Sequence, residues 1–475
     1  MREQLIRWHR RLAILAVVPL LAWSLTGLLH PLMSRWQPSA VAMKPPMDLV
    51  LSPVDRPWSD LPAPATTLPD GLQLRELRAL TWQQRPYWMV QTASCERHYY
   101  EAESGKAANI EPAIILALAR HYTGVSSPIL SVREVTAFDD EYAFVNRYLP
   151  VWRVAFDQPA GLVAFIEPRS FQLTGLTDTW KTRFSFLFSN LHSWKWWPHE
   201  PSRDVAMVSF LSAAILLVLS GLLRARARKA TPVTTKTTRW HRRIGWCVAA
   251  AALAWASSGI FHLLAINKSR PAFATYPLTH TFNSDELIHP AHPINNDLAR
   301  LQIVATSAGP LWREWGVHSN AHPQLANHEH HSGAKSTAHL LETYASARTG
   351  KVVQTTEYVR ELTASASQQA KWLSMEPITQ FTSEYGFVQK RLPVYRVMYE
   401  GDLSVYIDPA DAAVAAVVKN VDRAEGFSFA YLHKGHWFDF LGKDARDATL
   451  ALFALSIFVM ACTGITLLRR ARHSL

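Results

Sequence analysis

The chain has 475 residues, 48% of them hydrophobic, and carries 49 Lys+Arg against 38 Asp+Glu for a formal net charge of +11. The mean hydropathy of −0.04 suggests a soluble protein, but it averages four long apolar runs with a polar remainder. The basic excess clusters at the ends of those runs, which argues against nucleic-acid binding, and three cysteines are too few for a disulfide framework, a zinc finger or an iron–sulfur cluster.

The first apolar run extends from about Leu12 to Met33, close to the roughly 20 residues that cross about 30 Å of hydrocarbon. It reads as a retained helix, since it is longer than a signal peptide, lacks a small-residue cleavage site and recurs inside the chain. The proline-rich stretch 37–69 reads as an irregular linker. Glu111 to Tyr122 has helical periodicity with Pro112 early in it. Pro150 to Phe156 alternates as a strand does, and Val163 to Pro168 reads as its partner across a turn containing Gly161. The aromatic stretch Phe184 to Pro198 reads as an amphipathic piece in a membrane interface, with Trp194, Trp196 and Trp197 as its anchors or, as the alternative, the floor of a site for a bulky ligand. The second run, Val205 to Leu223, leads into a basic link, and the third follows from Ile244 to Ile266. A polar tract with His318, His322, His328, His330, His331 and His339 reads as a solvated loop, with metal gathering as the alternative. A second strand pair, Pro393 to Tyr399 and Ser404 to Pro409, turns at Gly401, and the last run is Ala448 to Leu468.

Arginines and lysines precede the first run, fill the link between the second and third, and follow the fourth. Four crossings put these clusters on one side, and short basic loops stay in the cytoplasm. The expected layout is a spanning helix at 8–35, an external domain at 36–202, a second span at 203–226, a cytoplasmic link at 227–238, a third span at 239–266, an external domain at 267–444 and a fourth span at 445–470.

The chain is duplicated. Residues 7–30 read RWHRRLAILAVVPLLAWSLTGLLH and residues 239–262 read RWHRRIGWCVAAAALAWASSGIFH, an offset of 232 residues. EYAFVNRYLPVWRVAF at 141–156 matches EYGFVQKRLPVYRVMY at 384–399, FIEP at 165–168 matches YIDP at 406–409, and FSFLFSNLH ending at His192 matches FSFAYLH ending at His433. SGLLRAR around Gly221 matches TGITLLRR around Gly464. Each half is helix, external α+β domain, helix, and a repeat in one orientation implies a pseudo-two-fold axis along the membrane normal.

Six of the 20 histidines recur in pairs: His9 with His241, His30 with His262, and His192 with His433. Neutral imidazole at the ends of a membrane-length apolar segment is what a b-type haem requires, and without a Cys-x-x-Cys-His motif that haem is held non-covalently. Headgroup anchoring or helix capping is the plain alternative for each histidine taken alone. The apolar parts of the second and fourth runs contain no histidine, so on a two-fold axis His9 faces His241 and His30 faces His262. The 21 residues from His9 to His30 span roughly 30 Å as helix, which calls for two haems rather than one. His192 and His433 compete for the outer haem, and a mixed pair such as His30 with His433 stays open. Trp8, Trp23, Trp240 and Trp255 also recur, as packing for the cofactors or as interfacial and helix-packing residues. Gly27 and Gly259 leave room for close helix approach or for a porphyrin. Arg10, Arg11, Arg242 and Arg243 are placed for haem propionates, although topology explains them equally. With no Gly-x-Gly-x-x-Gly fingerprint, the electron donor is a quinol or a separate cytoplasmic flavoprotein.

Trp-His-Arg-Arg opening an apolar helix, Leu-Thr-Gly near its far end, LPVWRV ahead of an acidic-Pro strand end, and Leu-His before the next apolar helix resemble the PepSY-associated transmembrane family. The order and duplication of these motifs carry the resemblance over most of the chain. The resemblance implies an integral membrane protein of four transmembrane helices with two periplasmic α+β PepSY-like domains in the bacterial inner membrane, both termini cytoplasmic. Its nearest functional analogues are inner-membrane siderophore–iron reductases of the ferrioxamine-reductase type, which implies two haem b groups passing electrons outward to a ferric siderophore or other ferric chelate. The rival reading is a non-enzymatic PepSY membrane protein that binds peptides or regulates a periplasmic protease, needing the external domains and not the histidines. A metal transporter is disfavoured because the spans lack internal carboxylates.

Overall fold

A computed structural model of the chain describes residues 2–46, 58, 61–146, 148–226, 235–269, 280–288, 300–318, 339–364, 370–386 and 391–472. It divides into a helical unit of Met1–Pro38, Thr177–Pro271 and Asn420–Leu475 and a second unit of Ser39–Leu176 and Ala272–Lys419.

Four helices make up most of the first unit: Arg2–Arg35, Glu200–Arg226, Lys236–Ser269 and Lys443–Arg472. Each contains a window long and apolar enough to cross a bilayer, and helices satisfy their backbone internally, as hydrocarbon demands. The protein is therefore a membrane protein in contact with lipid. The helices outrun their apolar cores because charged residues extend both ends. The first span packs against the second and the fourth, and the third packs against the same two, so the first and third face each other across the centre. Sequence neighbours run antiparallel: His9, early in the first span, meets Ser220, late in the second, and His241 meets Thr463 in the same way.

Ahead of the second and fourth spans lie shorter amphipathic pieces. The first is the helix Thr179–Leu191, whose start is capped by Asp178 accepting from the Lys181 amide at 2.7 Å. None of its residues is buried, and Trp180 and Phe186 are exposed, as suits a helix lying in an interface. Its counterpart, Asn420–Ser428, widens into a π turn over Phe429–His433 and continues as a 3-10 helix over His436–Leu441.

The second unit is antiparallel sheet with short helices. The strand pair Val151–Phe156 and Val163–Ile166 forms as its alternation predicts, as does Val394–Tyr399 with Leu403–Asp408. Each pair lies within a four-stranded sheet. The helix Glu111–Thr123 packs Ile114, Ile115, Leu118 and Tyr122 inward and ends at Gly124, whose φ of +66° a side chain would resist. Part of the proline-rich stretch is tied down, since the Val41 amide donates to the Tyr122 carbonyl at 2.9 Å.

The two inter-span stretches share one nine-stranded sheet, with Gln73–Trp82 of the first half paired to Arg300–Thr306 of the second. Joining them turns two vulnerable strand edges into a ladder. The acidic-Pro motifs act locally. Glu167 accepts from the amides of Arg169 and Ser170, and Asp408 from those of Ala410 and Asp411, closing the turn after each strand. Buried charges then tie the halves at Asp411, which Arg78 bonds at 3.1 Å and Arg169 approaches at 3.3 Å. Within the first half Arg169 bonds Glu76 at 2.5 Å, and within the second Arg391 bonds Asp408 at 2.8 Å and also Asp411. Although burial opposes it, Arg169, Arg391 and Arg78 hold the Asp411 carboxyl well below the usual carboxylate range.

Candidate cofactor-binding cavity

A cavity of about 1110 Å³ runs through the helical unit, larger than the roughly 300–1,000 Å³ of most ligand pockets. Its walls come from all four spans and both amphipathic pieces, and include glycines 27, 221, 245, 259 and 464. All six paired histidines line it.

His9 and His241 mark one level. His9 Nδ1 lies 3.0 Å from the Ser220 hydroxyl, and His241 Nδ1 lies 3.0 Å from that of Thr463. Glycine follows each hydroxyl residue. A Cβ on Gly221 would stand 3.3 Å from His9 Cε1, and one on Gly464 would stand 3.5 Å from His241 Cε1, so the small residue seats the ring. Arg10, Arg224 and Arg242 line the cavity at this level. Arg11 and Arg243 instead lie over the exposed indoles of Trp8 and Trp240, each at 5.8 Å.

The second level belongs to His192 and His433, whose ring centroids are 6.2 Å apart. His192 Nδ1 lies 2.9 Å from the Thr26 hydroxyl and His433 Nδ1 lies 3.0 Å from that of Ser258. Each ring stacks on the phenylalanine one helical turn earlier, His192 on Phe188 at 4.5 Å and His433 on Phe429 at 4.8 Å. Burial pushes the His192 imidazole down to about 4 and that of His433 to about 3, so both are neutral at pH 7, the form that binds metal. Seventeen residues separate His9 from Thr26, and 17 separate His241 from Ser258, or roughly 25 Å of helix.

His30 and His262 sit behind these phenylalanines. His30 tilts against Phe188 at 6.0 Å, His262 stacks on Phe429 at 4.6 Å, and His262 Nδ1 bonds Glu425 at 2.5 Å. Among the described residues no ring contact joins His30 to His262. Of the outer pairings open in the sequence, the structure brings His192 and His433 ring to ring. Trp23 and Trp255 line the cavity one helical turn before Thr26 and Ser258, and Trp23 Nε1 donates to the His192 carbonyl at 3.0 Å. Trp194 is buried against Trp23 with centroids 5.6 Å apart, while Trp196 is exposed.

Several residues of this site escaped the reading of the sequence. The four hydroxyl partners are one, although Thr-Gly, Ser-Gly, Ser-Gly and Thr-Gly at 26–27, 220–221, 258–259 and 463–464 were a visible signal. The Phe-x-x-x-His spacing is another, as are the cavity-lining Arg203–Asp204 and Arg446–Asp447 pairs at the starts of the second and fourth spans. In the polar histidine tract, His322, His328, His330 and His331 lie outside the described residues, and His318 and His339 are backbone partners in a strand pair. Comparison of the chain with protein-family models and with curated proteins finds no match.

Proposed function

We propose that the protein carries electrons across a bacterial inner membrane through two b-type haems and reduces ferric iron held by a siderophore or another chelate on the periplasmic side. The observation that carries this reading is the ring-to-ring pair of His192 and His433 in a cavity that His9 and His241 line at another level. The fit to haem rests on the donor set. Two metal–imidazole bonds of roughly 2 Å each, plus the near halves of the rings, require about 6 Å between centroids, and His192 and His433 stand 6.2 Å apart. Among the described residues no group of three or more His, Cys, Asp or Glu is placed to hold a metal ion. A pair suits a metal whose other positions are filled by a macrocycle, whereas a bare zinc site takes three or four protein ligands.

His9 and His241 would hold the inner haem, and His192 and His433 the outer one. Bound haem supplies a one-electron couple at each level. The chain's own residues keep the imidazoles neutral and oriented, wall the cavity with apolar side chains, and set Arg10, Arg224 and Arg242 where acidic haem arms at the inner level find positive charge. The gathering of Arg10, Arg224 and Arg242 from three spans around the level of His9 and His241 supports cytoplasmic termini. Electrons would enter from a quinol or a cytoplasmic flavoprotein and leave at the level of His192 and His433 to a ferric chelate; ferrous iron binds hard oxygen donors less well than ferric iron.

The test is optical. Protein purified from haem-replete cells should be red, with a b-type spectrum that dithionite reduces and a ferric chelate reoxidises. A colourless preparation would sink the reading.

A further inference from the structure

Each of the four histidines of the two levels has its Nδ1 on a hydroxyl that a glycine follows. Those hydroxyls have a second neighbour in common: a carbonyl one turn back in their own helix. Ser220 Oγ lies 2.8 Å from the Leu217 carbonyl, and Thr463 Oγ1 lies 2.8 Å from that of Met460. Thr26 Oγ1 lies 2.9 Å from those of Ala22 and Trp23, and Ser258 Oγ lies 3.1 Å from that of Trp255. A hydroxyl has one proton to donate and two lone pairs to accept with. A carbonyl can only accept, so the proton points along the helix and a lone pair faces the imidazole.

We propose that Ser220, Thr463, Thr26 and Ser258 are positioning residues, each accepting from the Nδ1–H of its histidine and so fixing the tautomer that presents the Nε2 lone pair to the cavity. Neutral imidazole has one N–H and one bare nitrogen, and the bond made by one nitrogen decides the state of the other. Burial makes the choice firm: Thr26 is 0% and Ser258 1% exposed, so no water competes for either hydroxyl. The same device occurs twice at each level, on helices that exchange roles. At the inner level the first and third spans carry the histidine and the second and fourth the hydroxyl. At the outer level the first and third spans carry the hydroxyl. The glycines divide their work: Gly221 and Gly464 clear space for the inner rings, whereas a Cβ on Gly27 or Gly259 would meet Ala454 or Leu211 on a neighbouring helix.

This inference rests on the haem reading, and its test separates the two. Holoprotein carrying Thr26→Val or Ser258→Ala should keep both haem signals while the outer haem transfers to apomyoglobin more readily. Its affinity should fall about 10–100-fold, as for other ligand-orienting partners. The midpoint potential of the outer haem should rise, because an imidazole without its acceptor donates less charge to ferric iron. The inner haem should be unchanged, and Thr26→Ser should restore the original values. Ser220→Ala should give the mirror result, with the outer haem recognised as the signal that survives His9→Ala. Unchanged haem retention and potential in Thr26→Val, Ser258→Ala and Ser220→Ala would overturn the positioning role while leaving the haem reading intact. A colourless wild-type protein would overturn both.

Discussion

In the first half of the helical unit, His192 bonds Thr26 and stacks on Phe188; in the second, His433 bonds Ser258 and stacks on Phe429. Behind that shared core the halves part company. Eight residues before the histidine, the second half has Glu425, bonded to His262, where the first has Phe184, tilted against Trp36. Two residues after the histidine, the first half has Trp194 at φ +52° and the second has Gly435 at φ +67°. The backbone makes the same left-handed turn in both. The first half covers it with an indole stacked on Trp23, whereas in the second Leu450 fills the place a Cβ would take, 2.8 Å away. What faces the centre of the cavity is duplicated, and what packs behind it is interchangeable. That is the pattern expected where chemistry constrains the inner residues and volume alone constrains the outer ones.

The comparison breaks most openly at the ring-to-ring pair. His192→Ala or His433→Ala should abolish the outer haem signal, while His30→Ala and His262→Ala should preserve it; an absorption spectrum of each purified variant decides, and the reverse pattern would transfer the ligand role to His30 and His262. In the second unit the halves meet instead at Asp411, which takes Arg78 of the first half and Arg391 of the second. Arg391→Met there leaves Asp408 and Asp411 without a shared cation and should cost about 3–5 kcal/mol in denaturant unfolding of the whole chain. Gly435→Ala should cost about 1–2 kcal/mol for the left-handed backbone, with more if Leu450 cannot move, seen as a lower melting midpoint in detergent. Trp194→Leu keeps an apolar side chain but loses the stack on Trp23, worth about 0.5–1.5 kcal/mol. An equal loss from Trp197→Leu would show that the Trp23 contact is not special.

Much of this was legible in the chain. Apolar length and basic ends mark the four spans, and the duplicated motifs mark the halves. Period-two alternation at Pro150–Phe156 and Pro393–Tyr399 marks two strands that form as expected. Apart from the duplication, these are local signals, carried by residues close together in sequence. The six histidines were also visible, because a polar ring repeated at the ends of apolar helices stands out against its surroundings.

Which of them meet was not visible. The approach of His192 to His433 depends on two amphipathic pieces entering the helical unit at matching angles, and no periodicity within either piece encodes that angle. The partnership of His9 with Ser220 joins residues 211 positions apart, and the sheet pairing of Glu76 with Val304 is equally remote. Hydropathy and spacing determined what spans, what repeats and which side chains are candidates. Packing between distant segments decided which imidazoles face each other and which hydroxyls hold them, because those contacts depend on the relative placement of helices that the chain specifies only when all of them are packed.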